Sequence, residues 1–471
     1  MRTTTFICLL SALAVAAAIS APHASAAKRM PIGFMDDPTL RWSPNAASEL
    51  DKVEATHASI LRTIANWSTI APRRPAHATN PFDPAYRLGD LDELVRNAQQ
   101  RGLVVMITIW GTPKWANGGK GANVAPKRPA DLTNFARALA SRYSGRYPDY
   151  PYVGRWSVWN EPNLGIFLKP QFGSKGQIVS PSIYATLYQA GYRGIKAASP
   201  QALVAIGETS NQGRDHPLKG VNDSVAPATF ARLLAQHQGL KFDAYATHPY
   251  PTRPNLPPQQ QVKWPNVTLS RLPQFEKSID SWFHRANIPV WITEYGYETR
   301  PAQPFGVTPA QQATYLSKVL AQLRADTHVH MFVWFIFRDS PTSAWHSGLF
   351  GATGKAKPAY RTFGSIAGRT VGSSKTVAPG VAPVVDVALP GLASTSSPGA
   401  AIAVTYRVLL GSRVVSAGAA SARLLQTQGI TFRTSFRPAA GKTYELRIVA
   451  TDDSGSHVSE TDNLVAARRG T

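Results

Sequence analysis

A chain of 471 residues with 50 Lys and Arg against 28 Asp and Glu, net charge +22 and a single cysteine, is long enough for one large barrel and a smaller companion domain. One thiol excludes a disulfide framework and a thiolate-rich metal site. The basic excess is scattered without a Lys/Arg run, which speaks against nucleic acid and leaves either an ordinary solvated surface or attraction to an anionic wall polymer or acidic glycan.

Residues 1–26 have the three-part pattern of a signal peptide. Arg2 supplies the positive start, Phe6 to Ile19 the apolar stretch, and Ala24-Ser25-Ala26 the small residues before a cut near Ala27. Secretion to the extracellular side is therefore expected. Cys8 lies inside the leader, so the exported chain would carry no thiol. No later apolar run reaches the length of a membrane span.

From Pro31 onward, short apolar runs alternate with helix-like segments. The runs are Pro31–Asp36, Ser59–Asn66, Leu103–Trp110, Val153–Asn160, Ala202–Glu208, Phe242–His248, Ile288–Glu294 and Val329–Ile336. They are apolar on both faces, as strands of a parallel sheet covered on both sides must be. Between them, Asp90, Ser180-Pro181, Ala226-Pro227 and Thr308-Pro309 read as helix starts, and Gly102 and Gly239 as stops. Strand–helix alternation eight times over predicts an α/β fold, a (β/α)8 TIM barrel across residues 28–370. An open doubly wound sheet is the competing architecture, but Gly33-Phe34-Met35-Asp36 is no phosphate-binding turn.

Residues 371–382 read as a Gly/Ser/Pro-rich linker, and residues 383–471 lose all helical period. Val384–Leu389, Ile402–Leu410, Arg413–Ser416, Ile430–Phe436, Tyr444–Thr451 and His457–Asn463 read as strands, with a tight turn at Gly411-Ser412. A small β-sandwich of immunoglobulin or fibronectin type is predicted. Its expected role is packing or spacing, since only Tyr406 and Tyr444 offer a sugar-binding aromatic platform.

Active sites of such barrels lie at the C-terminal ends of the strands. The fourth run ends in Trp159-Asn160-Glu161-Pro162 and the seventh in Ile292-Thr293-Glu294-Tyr295-Gly296. Two carboxylates at one barrel mouth suit acetal hydrolysis: one holds a proton for the leaving oxygen, the other attacks the anomeric carbon. A lone glutamate at a strand end would more often be a cap or an ion-pair partner. Glu208, ending the fifth run, is the rival carboxylate.

These two motifs, in this order and placement, resemble those of the clan A glycoside hydrolases, over about residues 31–367. The resemblance implies a secreted retaining glycosidase, with Glu161 as acid/base and Glu294 as nucleophile. It also implies that Asn160 binds the sugar 2-hydroxyl, that Arg62 supports the ionised nucleophile, and that Trp334 floors the subsite of the cleaved sugar. His248-Pro249-Tyr250 resembles the His-x-Tyr of cellulase-like family five, in which the Tyr orients the nucleophile and the His lies near the acid/base. Family thirty-nine shares these features. The bland alternatives are a plain salt bridge for Arg62, a satisfied core histidine for His248, and a Trp334 ring turned into the helix layer.

No cofactor is implied. The histidines lack metal-binding spacing, no calcium loop is present, and there is no G-x-S-x-G elbow. The expected partner is a polysaccharide or oligosaccharide, bound by a monomer. A catalytically silent wall-binding protein on the same barrel, and a transglycosylase, are the alternatives.

Overall fold

The eight apolar runs form eight parallel strands: β1 (Ile32–Met35), β2 (Ile60–Asn66), β3 (Val104–Trp110), β4 (Arg155–Val158), β5 (Leu203–Ser210), β6 (Ala244–His248), β7 (Val290–Tyr295) and β8 (Val329–Phe335). They pair in chain order and close when β8 pairs with β1, Val333 opposite Gly33. The computed structural model describes residues 30–147, 149–342, 345–367, 374–388, 399–424, 429–452 and 457–467. The segment read as a leader lies outside them. Among the described residues, no helix is long and apolar enough to cross a membrane.

Alternation along each strand feeds two cores. Met35, Ile60, Met106, Ala205, Ala246, Trp291, Met331 and Val333 fill the barrel interior. Phe34, Leu61, Ile107, Trp156, Ile206, Tyr245, Ile292 and Phe332 face the helix layer. Both faces are dry, which is why these strands show no polar alternation in sequence.

The helix starts are met unevenly. Thr308 forms a capping box with Gln311 ahead of Pro309–Ala325. Ala226 caps Pro227–Leu234, which stops a turn short of Gly239. Asp90 lies inside the first turn of Gly89–Gln100, where Arg41 and Trp42 donate to its carboxylate. Ser180 is also one residue too late: Val179 occupies the cap, and the Ser180 hydroxyl is buried without a partner.

The C-terminal strands are β9 (Ser374–Val377), β10 (Val384–Ala388), β11 (Ala401–Leu410), β12 (Arg413–Arg423), β13 (Gly429–Arg433), β14 (Thr443–Asp452) and β15 (His457–Ala466). They form a five-stranded sheet, β12-β11-β14-β15-β9, and a two-stranded sheet, β10-β13, with their own apolar core. β11 and β12 are joined at Gly411, whose φ of 62° is the left-handed value such a turn requires. The segment read as linker is corrected here: Ser374–Val377 pairs in parallel with β15, because that sheet edge offers backbone groups a ladder. Tyr406 and Tyr444 are both buried, Tyr406 tilted against Phe432 with its hydroxyl on Ser435, so neither forms a platform. The sandwich meets the barrel through His57 and Glu445, through Arg407 and Glu54, and through Arg447, which donates to the Glu54 and Arg101 carbonyls.

Candidate active site

After Val158 the chain leaves the barrel through two left-handed residues, Trp159 (φ 75°) and Glu161 (φ 38°). Such backbone costs on the order of 1–3 kcal/mol at a non-glycine residue and needs external support. The Trp159 amide donates to the Ile109 carbonyl at 2.7 Å and its indole to the Phe167 carbonyl at 2.8 Å. The Glu161 amide donates to the Glu208 carbonyl at 3.0 Å, tying the residue to β5.

Glu294 points inward from β7. Arg62 Nη1 donates to its Oε1 at 2.6 Å, and the Tyr250 hydroxyl to its Oε2 at 3.1 Å. An oxygen of Glu161, a nitrogen of His248 and an oxygen of Glu294 lie within 4.8 Å of one another. The two glutamates therefore share one cavity mouth.

Arg62, on β2, is the hub beneath them. Its Nε donates to Thr108 at 2.9 Å, and its Nη2 to Asn160 Oδ1 at 2.8 Å and to Glu208 Oε2 at 3.2 Å. With Oδ1 occupied, the Asn160 amide nitrogen is left as the donor. Burial alone would lower the Arg62 pKa, but Glu208 and Glu294 raise it above its ordinary value.

His248, at the end of β6, faces Glu161 Oε1 through Nδ1 at 3.0 Å and Glu208 Oε2 through Nε2 at 2.8 Å. While Glu161 is ionised both carboxylates can only accept, and the imidazolium satisfies the two contacts together. Burial opposes that charge, yet Glu294, Glu161 and Glu208 push His248 up to about 10. Tyr250 is pushed well above its usual range by burial and then by Glu294 and Glu161, so its hydroxyl remains a donor.

The rival carboxylate is thereby placed. Glu208 is wholly buried below the two mouth glutamates and also accepts from Thr293 at 2.7 Å. Burial would raise its pKa, but Arg62 and then His248 hold it at about 2. A break in the β5–β6 register between Gly207 and Thr209 turns the side chain inward. At Gly207 (φ 100°) a Cβ would lie 2.8 Å from the Ala246 carbonyl oxygen, so the bulge requires glycine.

The model of the cellulase family, glycosyl hydrolase family 5, matches residues 26–338. The chain belongs to that family. No curated protein matches this family 5 chain. A family 39 glycoside hydrolase from the gut symbiont Bacteroides cellulosilyticus WH2 superposes with a TM-score of 0.53 at 16% identity, over 87% of this chain and 80% of that one. A glucosidase from Croceicoccus marinus gives 0.54 at 11%, over 90% and 96%. An exo-β-1,4-mannosidase from Opitutaceae bacterium strain TAV5 gives 0.50 at 19%, over 76% and 64%. At these identities the likeness is one of fold, the eight-stranded barrel of clan A glycosidases.

In this family 5 glycosidase the structure brings Asn160, Glu161, Arg62, His248, Tyr250 and Glu294 together. Trp334 is the exception and is corrected. Its ring is fully buried in the outer core, 6.4 Å from Tyr295, with its indole nitrogen on the Ser347 carbonyl at 2.9 Å. It faces the helix layer because side chains alternate along β8, and the next residue, Phe335, takes the inward face. Phe335 packs at 5.9 Å from Trp345, which stands edge-on to Tyr250 at 5.3 Å. Both rings are half-buried, and Trp345 meets the mouth through Tyr250, the donor to Glu294.

Other polar residues on this face are structural. Asp36 caps Asp37–Leu40 and accepts the Phe337 and Arg338 amides, and Asp37 holds Thr63 and the Ile64 amide. Trp67 is core, and Glu298 is buried, accepting the His346 amide. The Glu161, His248 and Glu294 atoms have metal-ligand spacing, but both His248 nitrogens are committed to carboxylates, which leaves no lone pair for an ion.

Proposed function

We propose that this family 5 glycosidase is exported and cleaves O-glycosidic bonds of a polysaccharide or oligosaccharide with retention. The observation that carries this reading is the short gap between Glu161 and Glu294, whose nearest ligating oxygens lie within 4.8 Å. Retaining pairs stand about 5–5.5 Å apart, whereas inverting pairs need about 6.5–9.5 Å to admit a water.

In the first step a Glu294 oxygen attacks the anomeric carbon while Glu161 protonates the departing glycosidic oxygen. The C–O bond to the aglycone breaks, and an ester to Glu294 forms. In the second step Glu161 takes a proton from water, the water oxygen bonds to the anomeric carbon, and Glu294 leaves as a carboxylate. Arg62 and Tyr250 hold the nucleophile in place through both steps, each meeting a different oxygen. The hydrogen bond between His248 and Glu161 keeps a proton beside the acid/base. The leader at residues 1–26 supports export.

The experiment is to follow the anomer first released from aryl β-glucosides and β-mannosides by NMR, with product sizing on wall polysaccharides. Those two sugars are chosen because a glucosidase and an exo-β-1,4-mannosidase share the fold. Retention is expected, along with a loss of about 10²–10⁴-fold in Glu161→Gln. Release of the inverted anomer, or full activity in both Glu161→Gln and Glu294→Gln, would sink the reading.

A further inference from the structure

At the opposite end of the barrel, where β7 and β8 begin, a second group of carboxylates converges. Glu276 and Asp280 lie one turn apart on the helix Leu272–Trp282. Asp326 directly follows the helix Pro309–Ala325, and His328 lies two residues on, just before β8. The Val290 amide on the His328 carbonyl, at 2.7 Å, pins that segment to β7. On general grounds the arrangement is costly without a cation. Acidic residues one turn apart on a helix repel. An acid at a helix C-terminus faces the negative end of the dipole.

We propose that Glu276, Asp326 and His328 bind one divalent transition-metal ion, zinc or manganese, with Asp280 orienting the imidazole. One ligand atom from each of the first three lies within 4.8 Å of the others. His328 Nδ1 is 3.9 Å from Glu276 Oε2 and 3.7 Å from Asp326 Oδ1. Those spacings are too long for hydrogen bonds and close to the edge of a coordination tetrahedron, about 3.4 Å for metal–ligand bonds near 2.1 Å.

The ring is already set for ligation. His328 Nε2 lies 3.3 Å from Asp280 Oδ2, and a carboxylate can only accept, so Nε2 is the donor there and Nδ1 is the nitrogen that faces Glu276 and Asp326. A carboxylate on the far nitrogen is the usual support of a metal-bound histidine. Asp280 is itself fixed by the Asn287 and Ile288 amides, at 2.8 and 2.9 Å.

Glu276 is the independent sign of a missing ligand. It is 2% exposed, its Oε2 faces His328, and its Oε1 has no hydrogen-bond partner. His328, Asp280 and Asp326 are each partly open to solvent, so an ion has a way in. One imidazole nitrogen with carboxylate oxygens suits zinc or manganese better than calcium, which prefers an all-oxygen shell. The competing occupant is a proton: burial, then Asp326 and Asp280, push Glu276 up to about 9 in the absence of a cation.

Calorimetric titration of the chelator-treated full chain with zinc chloride, and separately with manganese chloride, tests the proposal. One saturable site per chain is expected for at least one of the two ions. Affinity is expected to fall at least tenfold in His328→Gln and in Asp326→Asn, and to stay unchanged in Glu294→Gln. Absence of a saturable site for both ions, or equal affinity in wild type and His328→Gln, overturns it. X-ray absorption of the loaded wild-type chain covers the case in which the variants do not fold. One imidazole among oxygen ligands supports the site, and any other histidine count overturns it.

Discussion

Arg62 Nη1 donates to Glu294 Oε1 at 2.6 Å from a guanidinium side chain with no exposed surface. The same fork reaches Glu208 and Asn160, so one cation holds Glu294, the buried Glu208 and the residue preceding Glu161 in register. Removing it leaves two buried carboxylates facing each other. Arg62→Met is expected to destabilise the fold by about 3–5 kcal/mol, as broken buried pairs do. Arg62→Lys keeps the charge but cannot span these acceptors. It is expected to fold and to lose most activity. Urea unfolding and aryl-glycoside turnover check the two variants, and a fully active Arg62→Lys would refute the role.

Glu208→Gln separates support from chemistry. Glu208 is held at about 2, below its unfolded value, so its stabilisation is present above about pH 4.5 and fades as pH falls towards 2. His248 is held at about 10, above its unfolded value, so its stabilisation is complete below about pH 6.5 and is lost as pH rises through 10. Glu208→Gln removes one of the carboxylates facing His248. The alkaline arm of kcat/KM is expected to move to lower pH, and the acid-side loss of stability to shrink. Superimposable pH profiles for the variant and wild type would contradict this.

Phe335 and Trp334 are neighbours with opposite duties. Phe335→Ala is expected to raise KM several-fold, from an aromatic contact of on the order of 1 kcal/mol, with little change in melting temperature. Trp334→Ala empties the outer core and leaves the Ser347 carbonyl with Gln312 as its side-chain donor, for about 3–5 kcal/mol of stability. Steady-state kinetics beside thermal melts distinguish them. The assignment of faces fails if Trp334→Phe, a milder change, alters KM while Phe335→Ala does not.

Glu445 joins the sandwich to the barrel, contacting His57 across the boundary and Arg447 on its own strand. Burial opposes its charge, but the His57 contact and Arg447 hold it at about 2. Its stabilisation is therefore present above about pH 4.5 and disappears as pH falls towards 2. Glu445→Gln is expected to lower the melting temperature at pH 7 and to leave it nearly unchanged near pH 2. Scanning calorimetry across that range is the check, and an equal loss at both ends would remove the charge from the explanation.

The strands, their order and the two mouth glutamates are legible in the amino-acid sequence by itself. Runs as apolar as Leu103–Trp110 and Ile288–Glu294 have no other stable home than a sheet covered on both sides, and Glu161 and Glu294 are acids where such runs stop. What the same dryness hides is phase. A strand buried on both faces has no polar alternation to say which side chains enter the barrel, so Trp334 and Phe335 could not be told apart from their letters. Only the closed barrel assigns them, as only the register break at Gly207 turns Glu208 beneath its neighbours. The Ser374–Val377 strand likewise exists because β15 offers it an edge, and its Gly/Ser-rich surroundings carry no signal of that. Local composition set where the chain extends and where acid stands. Faces, register and the charge state of buried groups came from contacts between residues far apart in sequence, which no local pattern encodes.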